Sequence, residues 1–182
     1  MLQEATTIVR HLQVRGFVAY FAGGYVRDHL LKRRPKDIDI ATNATPEEVG
    51  MAFPGARPIG RAFGVMQVTA GTHTYDITTF REDSRASDGR RPDFVRFSDP
   101  EHDAHRRDFT INGMFYDPIR KKVIDYVGGK EDLKRRVIRA IGDPSLRFGE
   151  DYLRMLRAVR FAGSLAFSLE GPTRQAIVEN AP

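Results

Sequence analysis

Two aspartates separated by one residue, Asp37 and Asp39, are the first side chains whose types and spacing could do chemistry. From Asp37 to Ala41 polar and apolar residues alternate, which predicts a half-buried strand with both carboxylates on one face. Two such carboxylates repel unless a cation lies between them, and Mg²⁺ accepts one or two carboxylates together with substrate phosphates. An isolated Asp-x-Asp is more often two solvent-facing acids on an edge strand, so the pair needs support from elsewhere in the sequence.

A glycine pair, Gly23-Gly24, lies between an apolar, β-prone run at 17–22 and a helical pattern at 25–32. A strand, a glycine pair and a helix start together present free backbone N–H groups, which bind anions. Arg27 lies one helical turn later, within reach of a phosphate. The same glycines would also suit a tight turn with positive φ. Beside two metal-binding carboxylates, however, a phosphate site predicts phosphoryl or nucleotidyl transfer.

Two later segments combine arginine with acids or amides. Residues 106–115 are predicted as a helix, on which Asp108 and Asn112 share a face close to Arg107. This mixture is less typical of a solvated basic helix end than Arg106 alone would be. The segment therefore adds a second group of polar residues that could contact a substrate.

Residues 150–165 form the strongest helical pattern in the chain. Asp151 and Arg154 lie three residues apart, which predicts either an intrahelical ion pair or a donor-and-acceptor set for the edge of a nucleobase. Arginines at three-residue spacing predict a basic stripe along the same helix: Arg154, Arg157 and Arg160. The side expected to be buried carries Leu153, Leu156, Val159 and Phe161.

Composition narrows the classes of protein. The chain has 182 residues, a net charge of +5, 41% hydrophobic residues and no cysteine. Disulfides, zinc fingers and thiolate nucleophiles are therefore excluded. No apolar run approaches the ~20 residues of a membrane span, and no signal peptide is evident, so we expect a cytoplasmic protein without membrane contact. Positive charge is concentrated at residues 106–139, which contain ten Lys or Arg against five acids, and this weakly favours an anionic partner.

The elements that must position these residues follow from periodicity and turn signals. Thr45-Pro46-Glu47-Glu48 predicts the start of a helix through a capping box. Further helices are predicted at 3–15, after the glycine pair at 128–129 and from 172. Strands are predicted at 17–22, 37–41, 64–70, 72–80, 123–126 and 137–141. Residues 82–103 are expected to form a long loop. Strands dominate up to residue 141 and helices dominate after it, so a domain boundary is expected there.

Several motifs, in order, resemble the class II tRNA nucleotidyltransferase family, which includes CCA-adding enzymes and bacterial poly(A) polymerases. The motif-bearing stretches are FAGGYVRDHLLKRRPKDIDIATNATPEEV, RRDFTINGMFYDP and DYVGGKEDLKRRVIRAIGDPSLRFGEDYLRMLRAVRFA. The resemblance covers about residues 14–170. It implies an α/β (α+β) fold: a polymerase-β-like head with a mixed sheet at residues 1–141, followed by the start of a helical neck at 142–182 that selects the nucleotide base.

The resemblance also implies an activity and roles for residues. Family members add nucleotides to an RNA 3′ end without a nucleic-acid template, using NTPs and Mg²⁺. Asp37 and Asp39 would hold two Mg²⁺ ions, and Asp76 is the candidate third carboxylate. The triphosphate would contact Gly23, Gly24 and Arg27. The sugar and phosphates would contact Arg107, Asp108 and Asn112. The base of CTP or ATP would be chosen by Asp151 and Arg154, with Arg157 as a further phosphate contact.

Alternatives remain at this point. Addition of A alone, or poly(A) synthesis, shares the same motifs. A non-catalytic RNA-binding module and a sugar-nucleotide transferase that uses Asp-x-Asp for Mn²⁺ belong to other classes.

The resemblance further implies helical body and tail regions that bind tRNA, so the chain is expected to be part of a longer protein. Residues 82–97 fall where the family has a flexible loop involved in switching from C to A. The sequence does not indicate an oligomeric state.

Overall fold

The structure, a computed structural model, describes residues 1–60, 63–83 and 95–181. The helices are α1 Leu2–Val14, α2 Gly24–Leu30, α3 Pro46–Ala52, α4 Pro100–His105, α5 Gly129–Arg135, α6 Pro144–Glu150, α7 Leu153–Leu165 and α8 Gly171–Asn180. The strands are β1 Ala19–Ala22, β2 Asp39–Thr42, β3 Arg57–Gly60, β4 Val65–Ala70, β5 His73–Thr79, β6 Arg81–Asp83, β7 Val95–Phe97, β8 Met114–Asp117, β9 Lys122–Asp125, β10 Val137–Ile138 and β11 Ser168–Leu169.

Seven strands form one sheet in the order β3-β4-β5-β2-β1-β8-β9. Strand β2 is parallel to β5 and antiparallel to β1, so the predicted mixed sheet is confirmed. Strands β2 and β1 are covered on both faces of the sheet, because Ile40 and Phe21 are buried on one face and Ala41 and Ala22 on the other. Asp39 is therefore the first residue of a strand in the middle of the sheet.

Local sequence signals explain several elements. In α1, Ala5, Ile8, Val9 and Leu12 are all buried, as the 3.6-residue period predicts. At α3 the predicted capping box is confirmed: the Glu48 backbone N–H donates to Thr45 Oγ1, and the Thr45 N–H donates to the Glu48 carboxylate. The predicted strands at 64–70 and 72–80 correspond to β4 and β5, which form an antiparallel hairpin with Gly71 at its turn in positive φ.

The predicted helix at 106–115 is wrong. Helix α4 ends at His105, a 3₁₀ turn spans Thr110–Asn112, and strand β8 begins at Met114. Beyond that short turn, the backbone of this segment pairs with residues 139–141: the Thr110 N–H donates to the Arg139 carbonyl and the Ile141 N–H donates to the Asp108 carbonyl. Tertiary pairing overrides the helical pattern here.

The predicted continuous helix at 150–165 is also corrected. Asp151 has extended dihedral angles (φ −155°, ψ 101°), which separates α6 from α7. The face of α7 that contacts the protein carries Met155, Ala158 and Leu165. Leu153, Leu156 and Val159, which were expected to be buried, are exposed, and Phe161 is partly buried.

The expected long loop at 82–103 contains structure at both ends. Strands β6 and β7 pair antiparallel, and α4 follows them with Asp99 as its N-cap. Residues 84–94, the greater part of the expected switching loop, lie outside the described residues. The short strands β3 and β8 and the helix α6 were not predicted.

The domain boundary expected near residue 142 stays a prediction. Contacts between residues on its two sides are present. Strand β10 pairs in parallel with β11, and the Ala140 N–H donates to Thr173 Oγ1. Within the described residues, no helix is long and apolar enough to cross a membrane.

Candidate active site

A cleft of about 1000 Å³ lies over the β2 end of the sheet, between α2, the 106–112 segment and α7. Its charge is predominantly positive, because ten basic side chains line it against six carboxylates. The basic residues are Arg27, Arg33, Arg34, Lys36, Arg81, Arg106, Arg107, Arg154, Arg157 and Arg160. The acids are Asp28, Asp37, Asp39, Asp83, Asp108 and Asp151. A cleft with this excess of positive charge attracts polyanions, and the six acids are the exceptions within it.

Asp37 and Asp39 both line this cleft. Between and after them, Ile38 and Ile40 are buried in the core, so the predicted alternation is confirmed. Desolvation in the cleft raises the pKa of Asp39, the neighbouring charges of Asp37 and Asp76 raise it further, and Arg107 opposes them. The carboxylates therefore lie close enough to destabilise one another's charge, which a bound cation would relieve.

Asp76 lies on β5, the parallel neighbour of β2. The register pairs Ile40 with Ile77, so Asp39 and Asp76 occupy adjacent positions one residue earlier on the two strands, on the same sheet face. Asp76 Oδ1 accepts a hydrogen bond of 3.1 Å from Gln67 Nε2 on β4. The structure thus brings Asp76 beside the Asp37/Asp39 pair.

The carboxylates of Asp37 and Asp39 fit a Mg²⁺ ion that takes some of its ligands from the protein and the others from water or substrate. Carboxylate oxygens are the ligands this ion prefers, and it keeps positions for waters and substrate phosphates. Across residues 1–60, 63–83 and 95–181, no group of three or more His, Cys, Asp or Glu is arranged so that it could hold a metal ion by itself. Mutually repelling aspartates in a cationic cleft are therefore consistent with ions that arrive together with a polyphosphate.

The glycine pair forms the turn from β1 into α2. Gly23 has φ 62°, and a Cβ added there would lie 3.1 Å from Arg107 Nη1, so both its conformation and its space require glycine. Gly24 is the first residue of α2, whose first N–H groups have no partner within the helix. The turn therefore presents backbone donors next to Arg107.

Arg27 is held rigidly at the cleft. Its Nη1 donates to Asn112 Oδ1 at 2.8 Å, and its Nε and Nη2 donate to the two oxygens of Asp28. The guanidinium also lies over the Phe161 ring, 5.3 Å from the centroid. A guanidinium fixed in this way binds phosphate with little loss of side-chain entropy.

Arg107 is fixed by a carboxylate that sequence reasoning missed. Its Nε and Nη2 donate to Asp103 Oδ2 at 3.1 and 2.9 Å, and its guanidinium lies 5.0 Å from the Phe115 ring centroid. Asp103 also accepts from Arg106 Nε at 2.8 Å. The i,i+4 spacing of Asp103 and Arg107 was the signal that could have identified it.

Asp108 and Asn112 do meet, as predicted, although no helix joins them. Asp108 is 8% exposed, and its Oδ1 accepts from Asn112 Nδ2 and from the Phe109 N–H. Its Oδ2 accepts from Arg157 Nε at 2.8 Å. The buried charge is thus compensated by Arg157, which reaches it from α7.

Asp151 and Arg154 both line the cleft but form no ion pair with each other. Arg154 Nη1 donates instead to Glu150 Oε2 and to the Arg147 carbonyl, both at 2.8 Å. Asp151 Oδ1 accepts from the Leu153 N–H at the start of α7. The predicted intrahelical pair is therefore absent because the helix begins only at Leu153, and Glu150 and Arg147 are the partners that the sequence did not reveal.

The family described as the poly(A) polymerase head domain matches residues 19–139, more than half of the chain. This chain belongs to that family. The match includes Asp37 and Asp39, the glycine pair and the 106–112 segment.

Relatives of this head-domain protein carry the name CCA-adding enzyme. One from Geobacillus sp. (strain WCH70) is 48% identical over 180 residues, covering 98% of this chain and 44% of the relative. One from Lactobacillus helveticus (strain DPC 4571) is 48% identical over 178 residues, covering 97% and 44%. The chain therefore spans less than half the length of these relatives.

Solved structures agree with the head-domain fold. The Bacillus stearothermophilus CCA-adding enzyme in complex with CTP superposes with a TM-score of 0.91 at 44% identity, covering all of this chain and 44% of that one. A tRNA nucleotidyltransferase complexed with a primer tRNA and an incoming ATP analogue gives a TM-score of 0.77 at 30% identity, covering 94% and 49%.

Proposed function

We propose that this protein adds C and A nucleotides to the 3′ end of tRNA, taking them from CTP and ATP with two Mg²⁺ ions and without a nucleic-acid template. The observation that carries the proposal is the pair of carboxylates Asp37 and Asp39 in a cationic cleft, with Asp76 next to Asp39 on the neighbouring strand. Relatives named CCA-adding enzyme at 48% identity favour this reaction over other uses of the same site.

Asp37 and Asp39 would hold the two Mg²⁺ ions, with Asp76 beside them. Bound there, the ions supply charge stabilisation for the pyrophosphate that leaves and lower the pKa of the attacking 3′-hydroxyl. The reaction forms one phosphodiester bond at the α-phosphorus and breaks the α–β phosphoanhydride bond. The charges of Asp37 and Asp76 disfavour the ionised form of Asp39, and the positive charge of the ions would offset this.

The triphosphate would lie against the N-terminal turn of α2. The Gly23 N–H donates to the Met114 carbonyl, so the backbone donors for the triphosphate would be those at the start of α2, while Arg27 and Arg107 supply fixed positive charge on either side. Because Asp28, Asn112 and Asp103 already hold these guanidinium groups, they need not reorganise when charge develops on the phosphates.

The sugar and base would be read by the 106–112 segment and α7. Asp108 and Asn112 form one hydrogen-bonded unit with Arg157, which would position the ribose and a phosphate. Asp151 and Arg154 would offer an acceptor and donors to the Watson–Crick edge of cytosine or adenine. A base whose own donors and acceptors remained unpaired in that place would be rejected.

The metal assignment is tested by Asp39→Ala. We expect loss of Mg²⁺-dependent nucleotide incorporation with an unchanged thermal melt, because Asp39 is at the cleft surface and not in the core. Glu101→Ala, an exposed acid on α4, is the matched control and should retain activity. Wild-type incorporation by Asp39→Ala would show that the metal ligands lie elsewhere.

Two further measurements separate CCA addition from its alternatives. Incorporation of C from CTP alone onto tRNA that ends at the discriminator base supports the proposal, whereas use of ATP alone would support an A-adding or poly(A) activity. Arg154→Ala should relax the ranking of CTP and ATP over UTP and GTP. An unchanged ranking would contradict a role of Arg154 in base choice.

A further inference from the structure

The loop between α2 and β2 is an exposed basic segment that none of the roles above uses. It reads Lys32-Arg33-Arg34-Pro35-Lys36, and Asp37 follows it directly. The four basic side chains are exposed. Arg33, Arg34 and Lys36 line the same cleft as the aspartates. In the described part of the chain no ion pair involves these three side chains, although acids line the cleft around them.

The backbone of this basic loop is fixed on both sides. After α2 the Lys32 N–H donates to the His29 carbonyl and the Arg33 N–H donates to the Asp28 carbonyl, which is a Schellman motif. Pro35 restricts its own φ and the conformation of Arg34 before it. Ile38, 3% exposed, anchors the chain in the core just after the loop. The cations are therefore presented by a preorganised backbone.

Lys32 adopts the left-handed conformation, with φ 54°, at the position of the Schellman motif where glycine is usual. A residue with a side chain costs about 1 kcal/mol or more there. Lys32 therefore adds a fourth positive charge to the loop at a position where glycine would fit the backbone conformation better.

The ligand of the basic loop is inferred from where the loop lies relative to the proposed triphosphate site and to the two aspartates. The Gly23-Gly24 turn, where the triphosphate would lie, is at the N-terminal end of α2, and the basic loop lies beyond its C-terminal end, so the seven residues of the helix separate the two by about 10 Å. Asp37 follows the loop directly, and Asp39 is the first residue of β2. An attacking 3′-hydroxyl must reach the aspartates from the side that the triphosphate does not occupy.

We propose that Arg33, Arg34 and Lys36 bind the phosphates of the RNA strand that carries the attacking 3′-hydroxyl. This inference rests on the proposed function and adds to it the surface that receives the primer. The contacts are to backbone phosphates, so they do not depend on base sequence. Three such contacts next to Asp37 would hold the last nucleotides of a single strand in line with the carboxylates.

The test is direct binding of a fluorescein-labelled single-stranded oligocytidine RNA to Arg33→Ala/Arg34→Ala, followed by fluorescence anisotropy across a salt series. A single-strand phosphate contact contributes a log–log salt slope of about 0.7, so two lost contacts should lower the slope by about 1.4 and weaken binding ~25-fold at 0.1 M salt. The matched control is Lys130→Ala/Lys134→Ala, which removes the same charge from the exposed face of α5 outside the cleft.

The same variants are then titrated with CTP and Mg²⁺. Unchanged CTP affinity together with the loss of RNA affinity supports the proposal. Weaker CTP binding with unchanged RNA binding would make the basic loop part of the triphosphate site and overturn it. Equal RNA losses in the α5 control would also overturn it. Because RNA binding is measured without turnover, a protein that binds RNA through this loop but never incorporates nucleotide would refute the proposed function alone.

Discussion

Asp103→Asn is expected to destabilise the fold and loosen the nucleotide site together. The Asp103 carboxylate is 1% exposed and accepts hydrogen bonds from Arg106 Nε, from Arg107 Nε and Nη2, and from the Arg81 N–H at the start of β6. Burial alone would raise the pKa of Asp103, but the charges of Arg107 and Arg106 outweigh it and lower the pKa. The asparagine is nearly isosteric, so the change removes charge and keeps volume.

The expected magnitude follows from the partners. Removing one member of a buried ion pair costs about 3–5 kcal/mol. The two arginine side chains are 17% and 19% exposed, and Arg106 retains Asp83 at 3.2 Å, so water and the remaining acid compensate part of the loss. We therefore expect a decrease of about 2–3 kcal/mol in the free energy of unfolding, which lowers Tm by roughly 4–12 °C for a chain of this size.

Thermal and urea unfolding measure this loss, and CTP titration measures the effect on Arg107. The control is Asp99→Asn on the same helix, because asparagine caps a helix nearly as well as aspartate and Asp99 is 56% exposed. The pH dependence adds a second criterion. Since the pKa of folded Asp103 is lowered, its stabilisation is complete above the unfolded pKa of about 3.9 and disappears as the pH falls through the folded value.

The stability difference between wild type and Asp103→Asn should therefore shrink in that acidic range. A Tm change below about 1 °C, an equal loss in Asp99→Asn, or a difference that does not vary with pH would refute the reasoning.

Three further predictions concern backbone and cap positions. Gly23→Ala should weaken CTP binding and lower Tm, because φ 62° strains alanine and its Cβ would meet Arg107; unchanged CTP titration contradicts this. Thr45→Ala should cost about 1 kcal/mol in urea unfolding through loss of the capping box, with no change in CTP affinity. Lys32→Gly should raise stability by about 1 kcal/mol in the same assay, since glycine relieves the left-handed conformation, and a loss would show that the lysine side chain packs favourably.

The sequence predicted those parts of the molecule in which local signals and tertiary contacts agree. The alternation around Asp37 and Asp39 predicted the strand face correctly, because a single central strand determines it. The capping box at Thr45 is similarly local. The glycine pair, Arg27, both aspartates and Arg107, Asp108 and Asn112 were named from the sequence and line one cleft, while their roles stay predictions.

The remaining elements depend on partners distant in sequence. The 106–115 segment has a helical pattern, yet its backbone bonds to residues 139–141, which no local signal indicates. In α7 the apolar positions 153, 156 and 159 are exposed because the helix turns Arg157 toward Asp108. Arg154 pairs with Glu150, whereas the spacing favoured Asp151, because extended dihedral angles at Asp151 interrupt the helix.

The contacts that Arg147 of α6 makes with the backbone of residues 106 and 107 matter for the design of chimeric proteins. Its Nη2 donates to the carbonyls of both Arg106 and Arg107, and its Nη1 donates to Glu150. Through this residue and Arg157, the part of the chain after residue 142 holds the 106–112 segment, which is proposed to position the sugar. Chimeras that exchange the C-terminal helices between relatives should therefore also exchange residues 103–112, since a mismatched joint would leave backbone oxygens and the Asp108 charge without their cations.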